Sequence, residues 1–177
     1  MSIRKISTQA KKEPTMPTTA TKTKPKSRVS APSEATAMLR ADHKHVAELF
    51  KQFEKSRSSA RKEKLVAEIC TELTVHAQIE EEIFYPAVKK ALKDKELVPE
   101  ATVEHATLKG LVAQLEGAPA DGEMYDAKVK VLSEYVKHHV KEEENEMFPK
   151  ARKTSIDMKE MGAKLAARKQ ELLAESD

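Results

Sequence analysis

Apolar side chains recur every three or four positions in four long stretches of the chain, which is typical of helices with one buried face. The predicted helices cover residues 34–55, 60–85, 99–117 and 123–147, and a fifth helix covers residues 156–174. Because the links between the four long helices are short, the pattern favours an all-α fold. We expect an antiparallel four-helix bundle with an extra C-terminal helix.

Prolines and capping residues predict where these helices begin and end. Pro86 and Pro149 follow the second and fourth helices, and a proline ends or kinks a helix within about one turn. Pro99 suits the first position of the third helix. Thr154 and Asp157 have the spacing of a capping box before the last helix.

The composition supports a helical protein and excludes several other classes. The 177 residues include only 4 Gly and no Trp, whereas a β-sandwich or barrel needs turn glycines and β-forming residues. No stretch approaches the roughly 18 apolar residues of a membrane span. The single cysteine, Cys70, excludes an intrachain disulfide and is expected to be a small buried side chain. We therefore expect a cytoplasmic protein without membrane contact.

The beginning of the chain differs from the rest in charge and composition. Residues 1–30 contain eight Lys or Arg and one acidic residue, Glu13, and they are rich in Pro, Thr and Ser. We predict a disordered basic tail at 1–32, a four-helix bundle at 33–150 and a C-terminal helix within 151–177. A tail that is simply solvated is the interpretation we favour, and weak contact with a polyanion is the alternative.

The second half of the predicted bundle repeats the first. The segment from His76 to Pro86 aligns without gaps on the segment from His139 to Pro149, and four of the eleven positions are identical. Further upstream, Asp42 and His43 match Glu104 and His105. The sequence therefore predicts two similar helix hairpins that pack together with approximate two-fold symmetry.

The repeat directs six ionisable side chains into the predicted core. Residues four apart lie on one face of a helix, and in both hairpins that face is the apolar one. The candidate metal ligands are His43, His76, Glu80, His105, His139 and Glu143. His45 and the pair His138–Glu142 lie out of phase with the apolar face, and we expect them to face solvent.

A cluster of buried histidines and glutamates requires a partner that offsets the cost of burial. One histidine on an apolar face is usually a hydrogen-bonded core residue, but buried ionisable groups cost several kcal/mol unless they are paired or ligated. Mixed imidazole and carboxylate ligands suit iron, manganese or zinc, and six ligands exceed what one tetrahedral zinc needs. A di-iron centre is the interpretation that uses all six residues.

These residues also carry a family resemblance. The order His43, His76-xxx-Glu80, His105, His139-xxx-Glu143, with DHKHVAELF before it and EEEIFYP and EEENEMFP at the ends of the pairs, resembles the hemerythrin-like (HHE cation-binding) domain over residues 36–150. The resemblance implies two non-haem iron ions joined by an oxo or hydroxo bridge in a four-helix bundle. It also implies that Glu80 and Glu143 bridge the ions and that the four histidines are terminal ligands.

The sequence departs from oxygen-carrying hemerythrin at two positions. Lys109 stands where that protein has a second histidine on the third helix, and Glu143 lies one residue closer to its histidine than the corresponding aspartate bridge does. Fewer histidine ligands leave more open coordination positions. The sequence more closely resembles bacterial members of the H–HxxxE–H–HxxxE type, some linked to peroxide or nitric-oxide chemistry and others to sensing or iron handling.

Three functions therefore remain open at this point. The first is binding of O2, peroxide or NO, and the second is catalase-like redox turnover at the same centre. The third is an iron storage, sensing or interaction module. Tyr85 and Tyr135 are candidate redox or ligand residues, although packing in the core or at its rim is the interpretation that we favour for both.

Overall fold

The computed structural model describes residues 33–93, 95–120 and 122–176, so the predicted basic tail at 1–32 lies outside the described residues. Its helices are α1 (Ala35–Lys55), α2 (Ser59–Ile79), α3 (Tyr85–Leu92), α4 (Leu97–Leu115), α5 (Glu123–Glu142), α6 (Phe148–Ala151) and α7 (Met158–Ser176). Five-residue π-helical turns, Glu80–Phe84 and Glu143–Met147, join α2 to α3 and α5 to α6. The described residues contain no strand, and the predicted all-α fold is confirmed.

The two π-helical turns allow the helices to continue past their prolines. The N–H of Tyr85 donates to the carbonyl of Glu80, five residues back, instead of four as in an α-helix. Proline lacks an N–H, and its ring clashes with the carbonyl four residues back in a regular α-helix. A wider turn just before Pro86 relieves this conflict, so the helix runs on to Leu92. Of the two predicted effects of Pro86, an end of the helix is therefore not found, and a local break in the α-helical geometry at Glu80–Phe84 is found instead.

The apolar core of the bundle consists of two clusters. One cluster includes Val46, Leu73 and Leu108, and the other includes Phe84 and Phe148. All of these side chains are at most 9% exposed. The six predicted site residues are buried with them, so burial of apolar side chains from the four long helices fixes the surroundings of the site.

The C-terminal helix α7 packs against α1 and α2. Gly162 permits a close approach, because a Cβ atom there would collide with the carbonyl oxygen of Ser33 and would lie 2.9 Å from the backbone N of Ala35. At the start of α7, the Asp157 carboxylate accepts hydrogen bonds from the backbone N–H groups of Lys159 and Glu160. Asp157 is thus itself the N-cap, and the predicted capping box from Thr154 to Asp157 does not form.

Two further sequence predictions concern the membrane and the cysteine. Within the described residues, no helix combines the length and the apolar run that crossing a membrane requires. Cys70 is buried, and burial together with the charge of Glu116 raises the pKa of its thiol to about 11. The thiol therefore stays protonated at neutral pH and packs as a small apolar side chain, as expected.

Candidate metal centre

The six residues singled out by the repeat meet inside the bundle. Each is at most 6% exposed: His43, His76, Glu80, His105, His139 and Glu143. The helices α1, α2, α4 and α5 each supply one histidine, and the two glutamates are the first residues of the two π-helical turns. The sequence thus places one imidazole per helix, and two carboxylates, at one level of the bundle.

The four imidazoles form two close pairs, one from each hairpin. In the first hairpin, Nε2 of His43 lies 3.0 Å from Nε2 of His76. In the second hairpin, Nε2 of His105 lies 3.0 Å from Nε2 of His139. Each hairpin therefore presents two Nε2 atoms at one point, as two ligands of one ion would be presented.

Each glutamate approaches one histidine from each pair. Oε2 of Glu80 lies 3.3 Å from Nε2 of His76 and 3.5 Å from Nε2 of His105. Oε2 of Glu143 lies 3.3 Å from Nε2 of His43 and 3.6 Å from Nε2 of His139. Both carboxylates thus lie between the two imidazole pairs, which is the position from which a carboxylate can bridge two ions.

A second ring of acidic residues engages the outer nitrogen of every imidazole. Nδ1 of His43 lies 2.9 Å from a carboxylate oxygen of Glu144, and Nδ1 of His76 lies 3.4 Å from one of Asp42. Nδ1 of His105 lies 3.0 Å from a carboxylate oxygen of Glu81, and Nδ1 of His139 lies 2.7 Å from one of Glu104. An imidazole that donates its Nδ1–H to a carboxylate keeps a lone pair on Nε2 and is oriented by that contact. The outer acids therefore turn four Nε2 lone pairs toward the centre.

The polar atoms of the centre fit a cation, and three of its carboxylate oxygens lack a hydrogen-bond partner. Two imidazole lone pairs 3.0 Å apart repel each other unless a proton or a metal ion lies between them. Both carboxylate oxygens of Glu80 and Oε2 of Glu143 are buried without a hydrogen-bond partner. Such groups are costly in a protein interior. Imidazole nitrogens and carboxylate oxygens are ligands of iron, manganese and zinc, so the donor set fits a metal.

The pKa values of the buried groups also indicate that the centre fits a cation. Burial raises the pKa of the Glu80 carboxyl well above its usual value, and the charge of Glu143 raises it further. Burial also opposes ionisation of Glu143, but the adjacent imidazoles of His43 and His139 lower its pKa to about 2. Burial and the nearby His139 lower the pKa of His105 to about 4. Without a cation, the centre therefore accommodates only one of its two carboxylates in the ionised form.

Tyr85 packs in the core, as the sequence favoured, and its hydroxyl also reaches the centre. Its hydroxyl donates to Oε1 of Glu143 at 2.9 Å and lies 3.1 Å from Nε2 of His105. The hydroxyl oxygen of Tyr85 also lies 3.5 Å from Nε2 of His139. Tyr135, by contrast, is 46% exposed and takes no part in the centre.

Sequence reasoning missed the four outer acids, although the repeat contains a signal for them. Asp42 and Glu104 each precede a predicted ligand histidine, while Glu81 and Glu144 each follow a predicted ligand glutamate. Each acid therefore occurs at the same position in both hairpins. His45 and His138 were predicted to face solvent, and their side chains are indeed 48% and 60% exposed.

An apolar cavity of about 30 Å³ adjoins the imidazoles. Besides the four histidines, its lining includes Val46, Leu73, Leu108, Val112 and Val136. One buried water needs roughly 10–15 Å³ on this measure. The cavity therefore has room for a molecule of about one or two heavy atoms, and its walls offer that molecule little hydrogen bonding.

Comparisons with known proteins agree with this geometry. The sequence profile of the Hemerythrin HHE cation binding domain matches residues 34–151. The crystal structure of a Hemerythrin HHE cation binding domain-containing protein, the Rv2633c homologue from Mycobacterium kansasii, is similar with a TM-score of 0.67 and 26% identity. That similarity covers 79% of this chain and 87% of the other.

Two relatives extend the comparison at the level of sequence. Rv2633c of Mycobacterium tuberculosis is 28% identical over 118 residues, which is 65% of this chain and 71% of that protein. A DNA nickase of Nostoc sp. is 28% identical over 111 residues, or 63% of this chain. The matched region spans only 31% of the length of the nickase.

Proposed function

The chain belongs to the hemerythrin HHE cation-binding family, and from this premise we propose that its buried centre holds two non-haem iron ions and binds O2, peroxide or NO. The observation that supports the proposal is the placement of Glu80 and Glu143, each between the two imidazole pairs. A single ion would need only one of these pairs. Two pairs joined by two carboxylates instead fit two ions.

The residues of each hairpin have separate tasks in this proposal. His43 and His76 hold the first ion, and His105 and His139 hold the second. When bound, an iron pair supplies a reversible change of valence and coordination positions that a small ligand can take. The outer acids keep the four imidazoles in the orientation and tautomer that binding requires.

The cavity beside the imidazoles restricts which ligand reaches the centre. Its volume of about 30 Å³ excludes larger organic molecules, and side chains such as Leu73, Leu108 and Val136 make much of its wall apolar. A small ligand with little need for hydrogen bonds, such as O2 or NO, fits these walls. The same apolar surroundings strengthen electrostatic interactions within the centre.

Redox turnover of peroxide is a second candidate, and Tyr85 is the observation that favours it. Its buried hydroxyl donates to Glu143 and lies within 3.5 Å of both imidazoles of the second pair. Burial and the charges of Glu80 and Glu143 raise the pKa of this phenol well above its usual value, so it keeps its proton beside the centre. Tyr85→Phe should then preserve the iron content and slow peroxide consumption.

A cavity-filling substitution tests the proposed ligand binding. Val112 lines the cavity and is 5% exposed, whereas Val131 on α5 is 40% exposed. In iron-loaded protein, Val112→Phe should keep the iron content but slow the optical change on adding NO by at least about tenfold, and the control Val131→Phe should not. If NO and peroxide leave the wild-type spectrum unchanged while iron is bound, ligand binding is rejected and an iron storage or sensing role is favoured.

A further inference from the structure

A third group of metal-ligating side chains lies outside the buried centre, on the outer face of α4 and α5. Nε2 of His138 is 3.3 Å from Oε1 of Glu104 and 3.3 Å from Oε1 of Glu142. One imidazole and two carboxylates are thus within reach of a single cation. His138 is 60% exposed, so this outer cluster is open to solvent.

Two members of the outer cluster, but not His138, line a narrow cleft of about 10 Å³ between α4 and α5 that reaches side chains of the buried centre. Glu104 and Glu142 line the cleft together with His139 and Glu143 of the centre. The buried Oε2 of Glu143, which has no hydrogen-bond partner, therefore belongs to a side chain at the inner end of the cleft. Glu104 contacts both ends, because its Oε1 faces His138 and its Oε2 lies 2.7 Å from Nδ1 of His139.

The corresponding face of the other hairpin is closed. By the repeat, Asp42, Val75 and Ile79 occupy the positions of Glu104, His138 and Glu142. Val75 and Ile79 are at most 3% exposed and belong to the apolar cluster that includes residues of α7. Nζ of Lys169 lies 2.9 Å from Oδ1 of Asp42 and already neutralises that carboxylate.

The charges on the two faces therefore differ for an approaching cation. On the α4–α5 face, none of the Lys and Arg residues that the structure describes forms an ion pair with Glu104 or Glu142. On the α1–α2 face, the ammonium of Lys169 would repel a divalent cation. Of these two faces, only the α4–α5 face therefore attracts an approaching divalent cation.

We propose that the cleft between α4 and α5 is the route by which divalent cations reach the centre, with Glu104, His138 and Glu142 as a relay site at its mouth. The inference rests on the proposed metal centre. A hydrated cation must lose its water before it enters a buried site, and ligands at the mouth replace part of that water before the ion moves inward. Glu104 then contacts the relay site and a ligand histidine at the same time.

The rate of iron uptake tests the relay site. Full-length apo-protein is mixed anaerobically with ferrous ammonium sulfate, and unbound Fe²⁺ is trapped with a chelator at timed intervals. His138→Ala/Glu142→Gln leaves Glu104 in place and should slow uptake at least about tenfold without changing the final iron content. The matched control His45→Ala/Glu68→Gln removes an exposed His–Glu pair, 3.6 Å apart, from the other hairpin and should take up iron at the wild-type rate.

A charge substitution provides an independent second variant. Glu142→Lys places an ammonium at this mouth, as Lys169 does on the other face, and should also slow uptake at least about tenfold. Wild-type uptake rates in both variants would overturn the relay site and leave the proposed centre standing. A lower final iron content in both would also overturn it, because the residues would then support the centre itself. If the wild-type protein takes up no iron, the proposed function fails first.

Discussion

The two helix hairpins place matching side chains around the centre but are covered differently on the outside. In both, two imidazoles face each other at 3.0 Å and a glutamate reaches toward the opposite pair. The α1–α2 hairpin is covered by α7, whereas the matching face of α4 and α5 has the exposed His138 instead. In our proposals, the inner positions bind the metal ions, while the outer positions affect stability and access to the centre.

The largest effect should come from removing ligands of each hairpin in turn. If each imidazole pair holds one ion, His76→Ala and His139→Ala should each lower the iron content by about one ion per chain, and the double variant should bind none. Metal analysis after gel filtration measures this, with His45→Ala as the control at an exposed histidine. Loss of both ions from either single variant would show that the hairpins do not hold separate ions.

Replacing two glycines with alanine should change the free energy of unfolding in opposite directions. Gly162 lies on α7, which covers the α1–α2 hairpin, and Gly110 lies on the uncovered α4–α5 hairpin. Gly162→Ala pushes α7 away from the backbone of Ser33 and should lower the free energy of unfolding by about 3 kcal/mol. At Gly110, within α4, a Cβ atom meets nothing within 4 Å. Gly110→Ala should therefore raise that free energy by about 0.8 kcal/mol, because alanine favours the helix. Urea unfolding of apo-protein measures both, and a stabilising Gly162→Ala would contradict the described packing of α7.

Lys169 should contribute more to the free energy of unfolding than the exposed Lys164 of the same helix α7. Its Nζ lies 2.9 Å from Asp42 and 3.0 Å from Glu72, and its side chain is only 16% exposed. Lys169→Met keeps the apolar stem but leaves two half-buried carboxylates without their cation, so the free energy of unfolding should fall by about 2 kcal/mol. The control Lys164→Met removes an exposed pair with Glu160 and should change it by less than about 0.5 kcal/mol.

Equal effects of the two lysine substitutions would mean that Lys169 contributes no more than a surface ion pair. An effect of Lys169→Met on the affinity for one ion alone would sharpen the comparison of the hairpins, because Asp42 contacts only His76 among the ligands. Iron titrations of both variants measure this second outcome.

Iron affinity should also depend on pH. The raised pKa of Glu80 means that the metal-free centre holds a proton that iron must displace. Below that pKa, raising the pH removes the competing proton, so affinity should increase about tenfold per pH unit for each proton displaced and level off above it. Competition with a chelator across the pH range in which the protein stays folded measures the slope, and an affinity independent of pH throughout would contradict a raised pKa of Glu80.

The sequence was sufficient to predict the helices, the repeat and the set of six inner residues. These features follow from local periodicity, since the phase of His76 relative to Leu73 decides which face it occupies. The continuation of the helix past Pro86 was not predictable in this way. It depends on a hydrogen bond from the N–H of Tyr85 to the carbonyl of Glu80, five residues back instead of four. This wider turn interrupts the 3.6-residue period of the helix.

The features that the sequence did not settle arise from contacts between distant parts of the chain. Tyr85 belongs to the centre because α3 brings it beside His105 and Glu143, and a tyrosine on an apolar face gives no sign of such partners. The position of α7 depends on Gly162 meeting the start of α1, about 130 residues earlier in the chain. Helical periodicity describes one helix at a time and does not indicate which neighbour it packs against.

The central claim is that the six buried residues hold a pair of iron ions, and an iron titration followed by Mössbauer spectroscopy tests it most directly. Apo-protein is loaded anaerobically with ⁵⁷Fe²⁺, freed of excess metal, analysed for iron and then oxidised. The account predicts two iron ions per chain, one for each imidazole pair, with magnetic coupling between them through the carboxylates that lie between the pairs. A single ion per chain, or two ions without magnetic coupling, would contradict it.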